Sequence, residues 1–386
     1  MNFIRNKKVI IAVSATFLIL SVLAVFLIII PNYKYNKAVD MINSGKYAEA
    51  VEIFSEIGVY KDSPNRIKEV YYLMAEESES DGNKTQAAMN FGKASGYSDA
   101  SERSFALWDD IADRETVSAG AYHTVAVKTV GTVVATGFSG NYYGGQCDVE
   151  GWTDIIAVSA GENHTVGLKS DGTVVATGEN DYGQCDIEDW SDIVSVSASE
   201  NHTVGLKSDG TVVALGNNSD GRCDVESWTD IIAVSAGHGH TAGLKSDGTV
   251  VAVGNNDNGQ CNTDKWTDIV SISTSFGHTV GLKSDGTVIA VGRNEQGQCN
   301  VDGQTDTAEI SAGYYHSVLL KADGTVSVVG NREQGQGNVD GWTDIVAVSA
   351  GEVHTVGLKS DGTVVAVGKN GFGQCKVETW TDIRVQ

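Results

Sequence analysis

A unit of 38 residues, repeated seven times, constrains this chain more than any other feature. Seven histidines mark it, the first two 41 residues apart and the rest 38 apart: His123, His164, His202, His240, His278, His316 and His354. Tryptophans and cysteines recur at the same interval, except that the sixth unit has Gln304 and Gly337 in their places. A repeat of this length cannot bury its own faces, so neighbouring units must stack on one another.

Each unit has the pattern of three or four short β-strands. In the second unit a Val- and Ala-rich run is followed by His164–Lys169 and Thr173–Thr177, which flank the tight turn Ser170-Asp171-Gly172, and Gln184–Ile187 would be a fourth strand. The chain has 45 glycines and only 2 prolines, an excess of glycine that is typical of tight turns. Seven small all-β units predict a mainly β fold, a seven-bladed β-propeller over residues 111–386.

The ring of blades must close on itself. Eight approximate W-x-D-I segments run from Trp108–Ile111 to Trp380–Ile383, one more than seven blades need. The surplus segment suits a closure in which the C-terminal residues seal against the first blade. The sequence leaves open which end of the chain supplies the last strand.

The N-terminal residues predict a membrane anchor. A basic tail over residues 1–8 precedes 22 uncharged residues, 9–30, which at about 1.5 Å per residue would cross a hydrocarbon core of ~30 Å. A cleavable signal peptide would have a shorter apolar stretch that ends in small residues. We therefore expect a transmembrane helix and a single-pass protein of the cell membrane, with a cytoplasmic N-terminus and an extracytoplasmic propeller.

Residues 31–110 predict a small all-α helical-repeat segment. Apolar side chains return every three or four residues, and a pattern of alanine, glycine and phenylalanine returns after 37 residues. The connector Tyr60–Ser63 recurs as Tyr97–Ala100. This segment resembles a short tetratricopeptide array, whose usual period is ~34 residues.

The β repeat itself resembles a known family. The motif A-G-x-x-H-T-V-G-L-K-S-D-G-T-V-V-A-x-G-x-N-x-x-G-Q recurs almost intact from Ala160 to Gln184 and from Ala236 to Gln260, and it is similar to the repeats of the regulator of chromosome condensation family. The resemblance covers residues 116–386, and the short units are more similar to bacterial members such as the propeller-type β-lactamase inhibitor proteins. It implies a seven-bladed propeller with mostly three-stranded blades that grips another protein.

Charge argues against one role of that family. The chain has a net charge of −23, and residues 116–386 carry 14 basic against 34 acidic side chains. A domain this acidic repels a phosphate backbone. We therefore expect no nucleic-acid partner, and we do not carry over the role of the family members that act as exchange factors on a nuclear GTPase and chromatin.

The repeated histidines and cysteines are interpreted as structural. The period of two along a strand places His164 on the face of Val166 and Leu168, which packs between blades. Equivalent positions on different blades are too far apart for a shared metal ion or a disulfide, and the cysteines are expected to be small buried apolar residues. The sequence contains no G-x-S-x-G, Walker or H-E-x-x-H motif. We predict no catalytic residue, no metal and no cofactor.

One end of the predicted ring varies from blade to blade. It carries the residues before each histidine and the G-x-N-x-x-G loops, whereas the S-D-G and W-T-D turns at the other end are nearly invariant. Aromatic side chains on loops of a rigid scaffold are typical of binding hot spots. The candidate partner-binding residues are Tyr122, Tyr142, Tyr143, Tyr182, His238, Phe276, Tyr314, Tyr315 and Phe372.

These residues predict a non-catalytic interaction module whose partner is an unknown protein or a cell-wall component. Two alternatives remain open: a propeller enzyme, hydrolase or lyase, with its site on the same face, and a purely structural spacer. Convergence of His238, Glu200 and Arg293 near the ring axis would favour the enzyme.

Overall fold

The computed structural model describes residues 25–110, 115–139 and 144–385, and the chain divides after Leu107 into two compact units. The first unit is helical. Its described part begins with a π-helical stretch, Val25–Ile29, and continues with five α-helices: α1 Ile30–Asn43, α2 Tyr47–Ile57, α3 Ser63–Ser80, α4 Lys84–Lys93 and α5 Ala100–Asp110.

The 37-residue periodicity of the helical unit reflects one packing device used twice. Tyr35 hydrogen-bonds Asp62 and meets the ring of the fully buried Phe54 edge-on at 5.5 Å. One repeat later, Tyr72 donates to Asp99 at 2.7 Å and meets Phe91 edge-on at 5.2 Å. Each tyrosine therefore ties the connector between two hairpins to an aromatic core, which explains why both features recur in the sequence.

The prediction of a membrane-spanning helix is corrected by the structure. Across the described residues, no helix is both long enough and apolar enough to cross a bilayer. Residues 9–24 of the predicted span lie outside the described residues. The transmembrane helix over residues 9–30, and with it the assignment to the cell membrane as a single-pass protein, is therefore not supported.

The second unit is the predicted seven-bladed propeller. Its described strands form seven three-stranded antiparallel sheets, each in chain order. The strands are β1 Val117–Ala119, β2 His123–Val127, β3 Val133–Gly137, β4 Ile155–Ala160, β5 His164–Lys169, β6 Val174–Gly178, β7 Ile193–Ala198, β8 His202–Lys207, β9 Val212–Gly216, β10 Ile231–Ala236, β11 His240–Lys245, β12 Val250–Gly254, β13 Ile269–Thr274, β14 His278–Lys283, β15 Val288–Gly292, β16 Thr307–Ala312, β17 His316–Lys321, β18 Val326–Gly330, β19 Ile345–Ala350, β20 His354–Lys359 and β21 Val364–Gly368. Residues 184–187, the fourth strand that the sequence allowed, do not form a strand: residues 184 and 185 lie in a turn and residues 186 and 187 are irregular.

The sequence of each strand matches its place in the blade. The first strands line a central channel, and the middle strand is buried from its histidine to its leucine. Between the second and third strands, Asp171 accepts hydrogen bonds from the amide (3.0 Å) and the hydroxyl (2.6 Å) of Thr173. Gly172 adopts φ +80° in this turn, a conformation that glycine reaches without strain, so the S-D-G-T sequence fixes the hairpin.

The C-terminal W-T-D-I segment closes the ring. Ile383 pairs with Lys128 of the first blade, as Ile155 pairs with Lys169 in the second. The carbonyl of Asp382 accepts the amide of Thr129 at 2.8 Å. The eighth W-x-D-I copy therefore supplies the start of the first strand of blade one, which answers the question that the sequence left open.

Tryptophan and glycine pack against each other within a blade. A Cβ on Gly205 would lie 2.7 Å from the ring of Trp190, so only glycine leaves room for the ring. In the sixth unit the tryptophan is replaced by Gln304 and the matching glycine by Leu319, which is fully buried. The two departures compensate each other in volume.

Two closed rings of hydrogen bonds join each blade to the next. In one, the Nε2 atom of every repeated histidine lies 2.8–3.1 Å from a Thr or Ser hydroxyl of the following blade, and the seventh bond runs from His354 back to Thr124. In the other, a serine of each first strand accepts the backbone amide of the next first strand at 2.9–3.0 Å. The histidines are fully buried, as predicted, and their hydrogen bonds join each blade to the next.

The hydrogen-bond pattern also defines the tautomer of these histidines. Thr165 donates its hydroxyl proton to the carbonyl of Gln146 at 2.6 Å, so it must accept from His123, whose Nε2 therefore carries the proton. Burial lowers the pKa of the seven imidazoles to between about 3 and about 4. All seven imidazoles are therefore neutral throughout the physiological pH range.

The cysteines are not simple apolar filler. Four are half-buried and two are buried, and each donates its S–H at 3.2–3.7 Å to the carbonyl of the residue that follows the third strand. They therefore fasten the variable loops to the blades. In the sixth blade Gly337 takes the position of the cysteine, and the side chain of Arg332 packs 2.6 Å from where a Cβ would lie.

Candidate functional site

The variable end of the propeller surrounds the mouth of the central channel. Seven equivalent residues, each two positions before a repeated histidine, line this mouth. In blade order they are Ala121, Glu162, Glu200, His238, Phe276, Tyr314 and Glu352. The rim is divided: an acidic arc of glutamates extends over blades seven, two and three, and an aromatic arc of His238, Phe276 and Tyr314 over blades four to six.

The aromatic arc is a connected cluster. Phe276 stacks on Tyr314 with centroids 4.8 Å apart and planes 23° apart, and His238 meets Phe276 edge-on at 4.9 Å. Tyr315 adds a further ring 5.6 Å from Phe276. The guanidinium of Arg293 lies over both Phe276 and Tyr315, at 5.3 Å and 5.5 Å. Such packing presents a preorganised apolar surface with a polar edge.

The acidic arc is tied to its surroundings by single contacts. Glu200 contacts the imidazole Nε2 of His238, and Glu162 accepts a hydrogen bond from the hydroxyl of Tyr314 at 3.3 Å. Burial, reinforced by the negative charges of Glu200 and Glu352, raises the pKa of Glu162. Burial also raises the pKa of Glu352. These carboxylates are therefore charged at a cost, which nearby positive charge would relieve.

A wider cavity of about 600 Å³ adjoins the acidic arc. Its aromatic wall is a second cluster, in which Phe372 lies 5.5 Å from Tyr122 and 5.1 Å from Phe138. Burial and the negative charge of Glu352 raise the pKa of Tyr122 to about 12. The other lining residues are polar or acidic apart from the half-exposed ring of Tyr182: Glu162, Asn163, Glu179, Asp181, Tyr182, Glu200 and Asn201.

The described residues among those predicted to bind a partner lie in two aromatic clusters and in the lining of the cavity. His238, Phe276, Tyr314 and Tyr315 form one cluster, Tyr122 and Phe372 belong to the second, and Tyr182 lines the cavity. Tyr142 and Tyr143 lie outside the described residues. Phe138 was not among the residues predicted from the sequence, although its place in the repeat indicates it, since Phe138 follows Gly137 as Glu179 follows Gly178.

The arrangement expected of an enzyme is only partly present. His238 and Glu200 pair at the channel mouth, but Arg293 pairs with Glu295 and lies over the aromatic cluster. Within the described ranges, no group of three or more His, Cys, Asp or Glu side chains is arranged to hold a metal ion.

Comparison with known proteins identifies the family. The Regulator of chromosome condensation (RCC1) repeat matches six segments: residues 155–184, 193–222, 231–260, 269–298, 308–336 and 345–374. The chain belongs to the regulator of chromosome condensation repeat family. No curated protein matches the sequence of this RCC1-repeat chain.

Solved structures share the fold. They include the ectodomain of the receptor kinase CR4 from Physcomitrella patens, with 18% identity over 66% of this chain and 72% of that chain and a TM-score of 0.54. The CRINKLY WD40 ectodomain of the receptor kinase ACR4 from Arabidopsis thaliana has 17% identity over 68% and 96% of the two chains and a TM-score of 0.54. Human WBSCR16 has 19% identity over 64% and 88% and a TM-score of 0.52. At these identities the likeness concerns the fold alone.

Proposed function

We propose that this RCC1-repeat propeller is a non-catalytic interaction module that binds a protein partner through the rim and the adjoining cavity of its variable end. The observation that carries the proposal is the aromatic arc with Tyr315 beside it: Phe276, Tyr314 and Tyr315 lie in mutual contact on loops whose sequence differs in every blade. Clustered aromatic rings beside charged groups are the usual composition of a binding hot spot.

The scaffold supports such a use. The loops start from strands that two closed rings of hydrogen bonds lock together, so little backbone freedom is lost when a partner binds. Preorganisation of this kind lowers the entropic cost of association. The opposite end offers less, because its aspartates are engaged in their own turns, as Asp209 is with Thr211.

The two other functions are less well supported. A propeller enzyme would use the His238–Glu200 pair, but Arg293, the third expected member, is engaged by Glu295 and the aromatic rings. A spacer would leave the aromatic arc without a use. The negative charge of the propeller favours a protein over a nucleic acid as partner.

The test is capture of a partner by the native chain and by two variants. The rim variant carries Phe276→Ala, Tyr314→Ala and Tyr315→Ala. The control carries Ile232→Ala, Val270→Ala and Val346→Ala, which remove exposed apolar side chains near the other end of the first strands. We expect the native chain and the control to retain the same protein from extracts of the source cells and the rim variant to lose it. Equal retention by all three would refute the assignment to the rim.

A further inference from the structure

Resting on the proposed function, we propose that the partner inserts a basic side chain, arginine in preference to lysine, between the acidic arc and the aromatic arc of the rim. The proposal deepens the assignment of the face by giving the chemistry of the group it recognises. It stands on three observations: the charge of the two cavities, the state of the rim carboxylates and the position of Arg293.

The charged side chains that line the channel mouth and the adjoining cavity are mainly acidic. The channel mouth and the adjoining cavity share Glu162 and Glu200. The mouth adds Glu352, and the cavity adds Glu179 and Asp181. Among the described residues that line either space, no lysine or arginine is present to balance them. A low-dielectric recess with one sign of charge attracts and holds the opposite charge.

Two of the three rim carboxylates, Glu162 and Glu352, form no ion pair among the described residues, although the charge of Lys369 acts on Glu352. The third, Glu200, contacts the imidazole of His238. Glu162 has a hydroxyl, that of Tyr314, as its hydrogen-bond donor, and Glu352 has the hydroxyl of Tyr122. The pKa of each is raised by burial. A guanidinium placed between them would replace lost hydration with charge-assisted hydrogen bonds, which are about twice as strong as neutral ones.

The aromatic arc already holds a guanidinium of the chain itself. Arg293 lies over Phe276 and Tyr315 and pairs with the carboxylate of Glu295. The Arg293 site thus combines a planar cation stacked on aromatic rings with a carboxylate at its edge. The rim has the same two components, an aromatic arc and an acidic arc, on a larger scale. Arginine fits better than lysine because its planar group stacks on rings and bonds two carboxylate oxygens at once.

The experiment selects ligands without assuming their composition. A displayed library of random 12-residue peptides is panned on the full chain and, separately, on the rim variant with Phe276→Ala, Tyr314→Ala and Tyr315→Ala. We expect peptides enriched in arginine on the full chain and a loss of that enrichment on the rim variant.

Affinity measurements on one enriched peptide then locate the site. Glu162→Gln with Glu352→Gln, which removes the two carboxylates between which the guanidinium would lie, should weaken binding at least 10-fold. The control, Glu188→Gln with Glu226→Gln, removes the same charge from exposed positions outside both cavities and should leave binding within 2-fold. Equal loss in both variants would mean attraction by net charge alone and would overturn the proposal.

The remaining outcomes separate the proposal from the function on which it rests. Enriched peptides that lack basic residues but still require the aromatic arc would overturn the basic-group proposal and leave the interaction module standing. No enrichment on the full chain beyond that on the rim variant would overturn both.

Discussion

The ring of seven buried neutral histidines makes the propeller sensitive to acid. Each imidazole has a pKa near 6.5 in the unfolded chain and between about 3 and about 4 in the folded one. Because the folded-state pKa is the lower of the two, the neutral ring stabilises the fold above pH 6.5. This stabilisation is lost progressively as the pH falls toward 4.

The size of the effect follows from the pKa differences. Between pH 7 and pH 5 each histidine lowers the free energy of unfolding by about 1.9 kcal/mol, and seven of them lower it by ~13 kcal/mol. The raised pKa values of the buried carboxyl groups of Glu115, Glu162 and Glu352 act in the opposite direction. Since a domain is usually stable by ~5–15 kcal/mol, we expect the propeller to unfold between pH 6 and pH 4.5.

The assay is urea unfolding followed by circular dichroism at pH 7.0, 6.5, 6.0 and 5.5. The slope of the free energy of unfolding against pH counts the protons taken up, at about 1.4 kcal/mol per proton and pH unit. The variant His202→Gln should reduce that slope by about one proton. A stability that stays flat between pH 7 and pH 5.5 would refute the buried neutral ring.

Three further predictions concern packing, closure and the thiols. Trp190→Gln should lower the free energy of unfolding by ~3–5 kcal/mol, and Gly205→Leu should lower it by ~1–3 kcal/mol. The double variant, which copies the sixth blade, should lower it by at least ~2 kcal/mol less than the sum of the two. Simple additivity would contradict the exchange of volume between the two positions. Ile383→Ala should cost as much as Ile231→Ala, ~2–5 kcal/mol in denaturant unfolding, and a cost near zero would mean that the C-terminal segment does not close the ring. Burial raises the pKa of the six thiols to between about 11 and about 12. Iodoacetamide at pH 8 should therefore alkylate them at least ~30-fold more slowly than free cysteine. Alkylation rates equal to those of the unfolded chain would refute their burial.

The architecture of the propeller was predictable because every unit has the same pattern of strands, turns and buried residues. The spacing of the seven histidines from His123 to His354 required seven equivalent units, and the S-D-G-T turn and the period of two defined the hairpin of each. The burial of the histidines followed from the same strand periodicity. A pattern present seven times leaves little freedom for an alternative assignment.

Other features depended on contacts between distant residues. The closing role of Asp382 and Ile383, the hydroxyl partners of the histidines and the carbonyl partners of the thiols join residues that no local pattern connects. The prediction of a membrane-spanning helix was wrong, because an uncharged stretch of sequence does not by itself show where the chain forms helices. The described part of that stretch, residues 25–30, belongs to the π-helical segment and the first residue of α1.

The candidate site was predictable in location but not in organisation. Strand order placed the variable loops at one end, and the aromatic residues were selected from their positions alone. Their division into an aromatic arc and a second cluster around Phe372, and the inclusion of Phe138, depend on which blades are neighbours in the closed ring. The separation of charge along the rim appears only when equivalent positions are compared around that ring.

The most direct test of the central claim places a photo-crosslinking amino acid at Phe276, on the rim, and in a separate chain at Ile232, near the opposite end. Both chains are produced in the source cells and irradiated there. We expect a discrete cross-linked protein of defined mass from position 276 and no such product from position 232. The same product from both positions, or no product from position 276, would contradict the assignment of the rim as the binding surface.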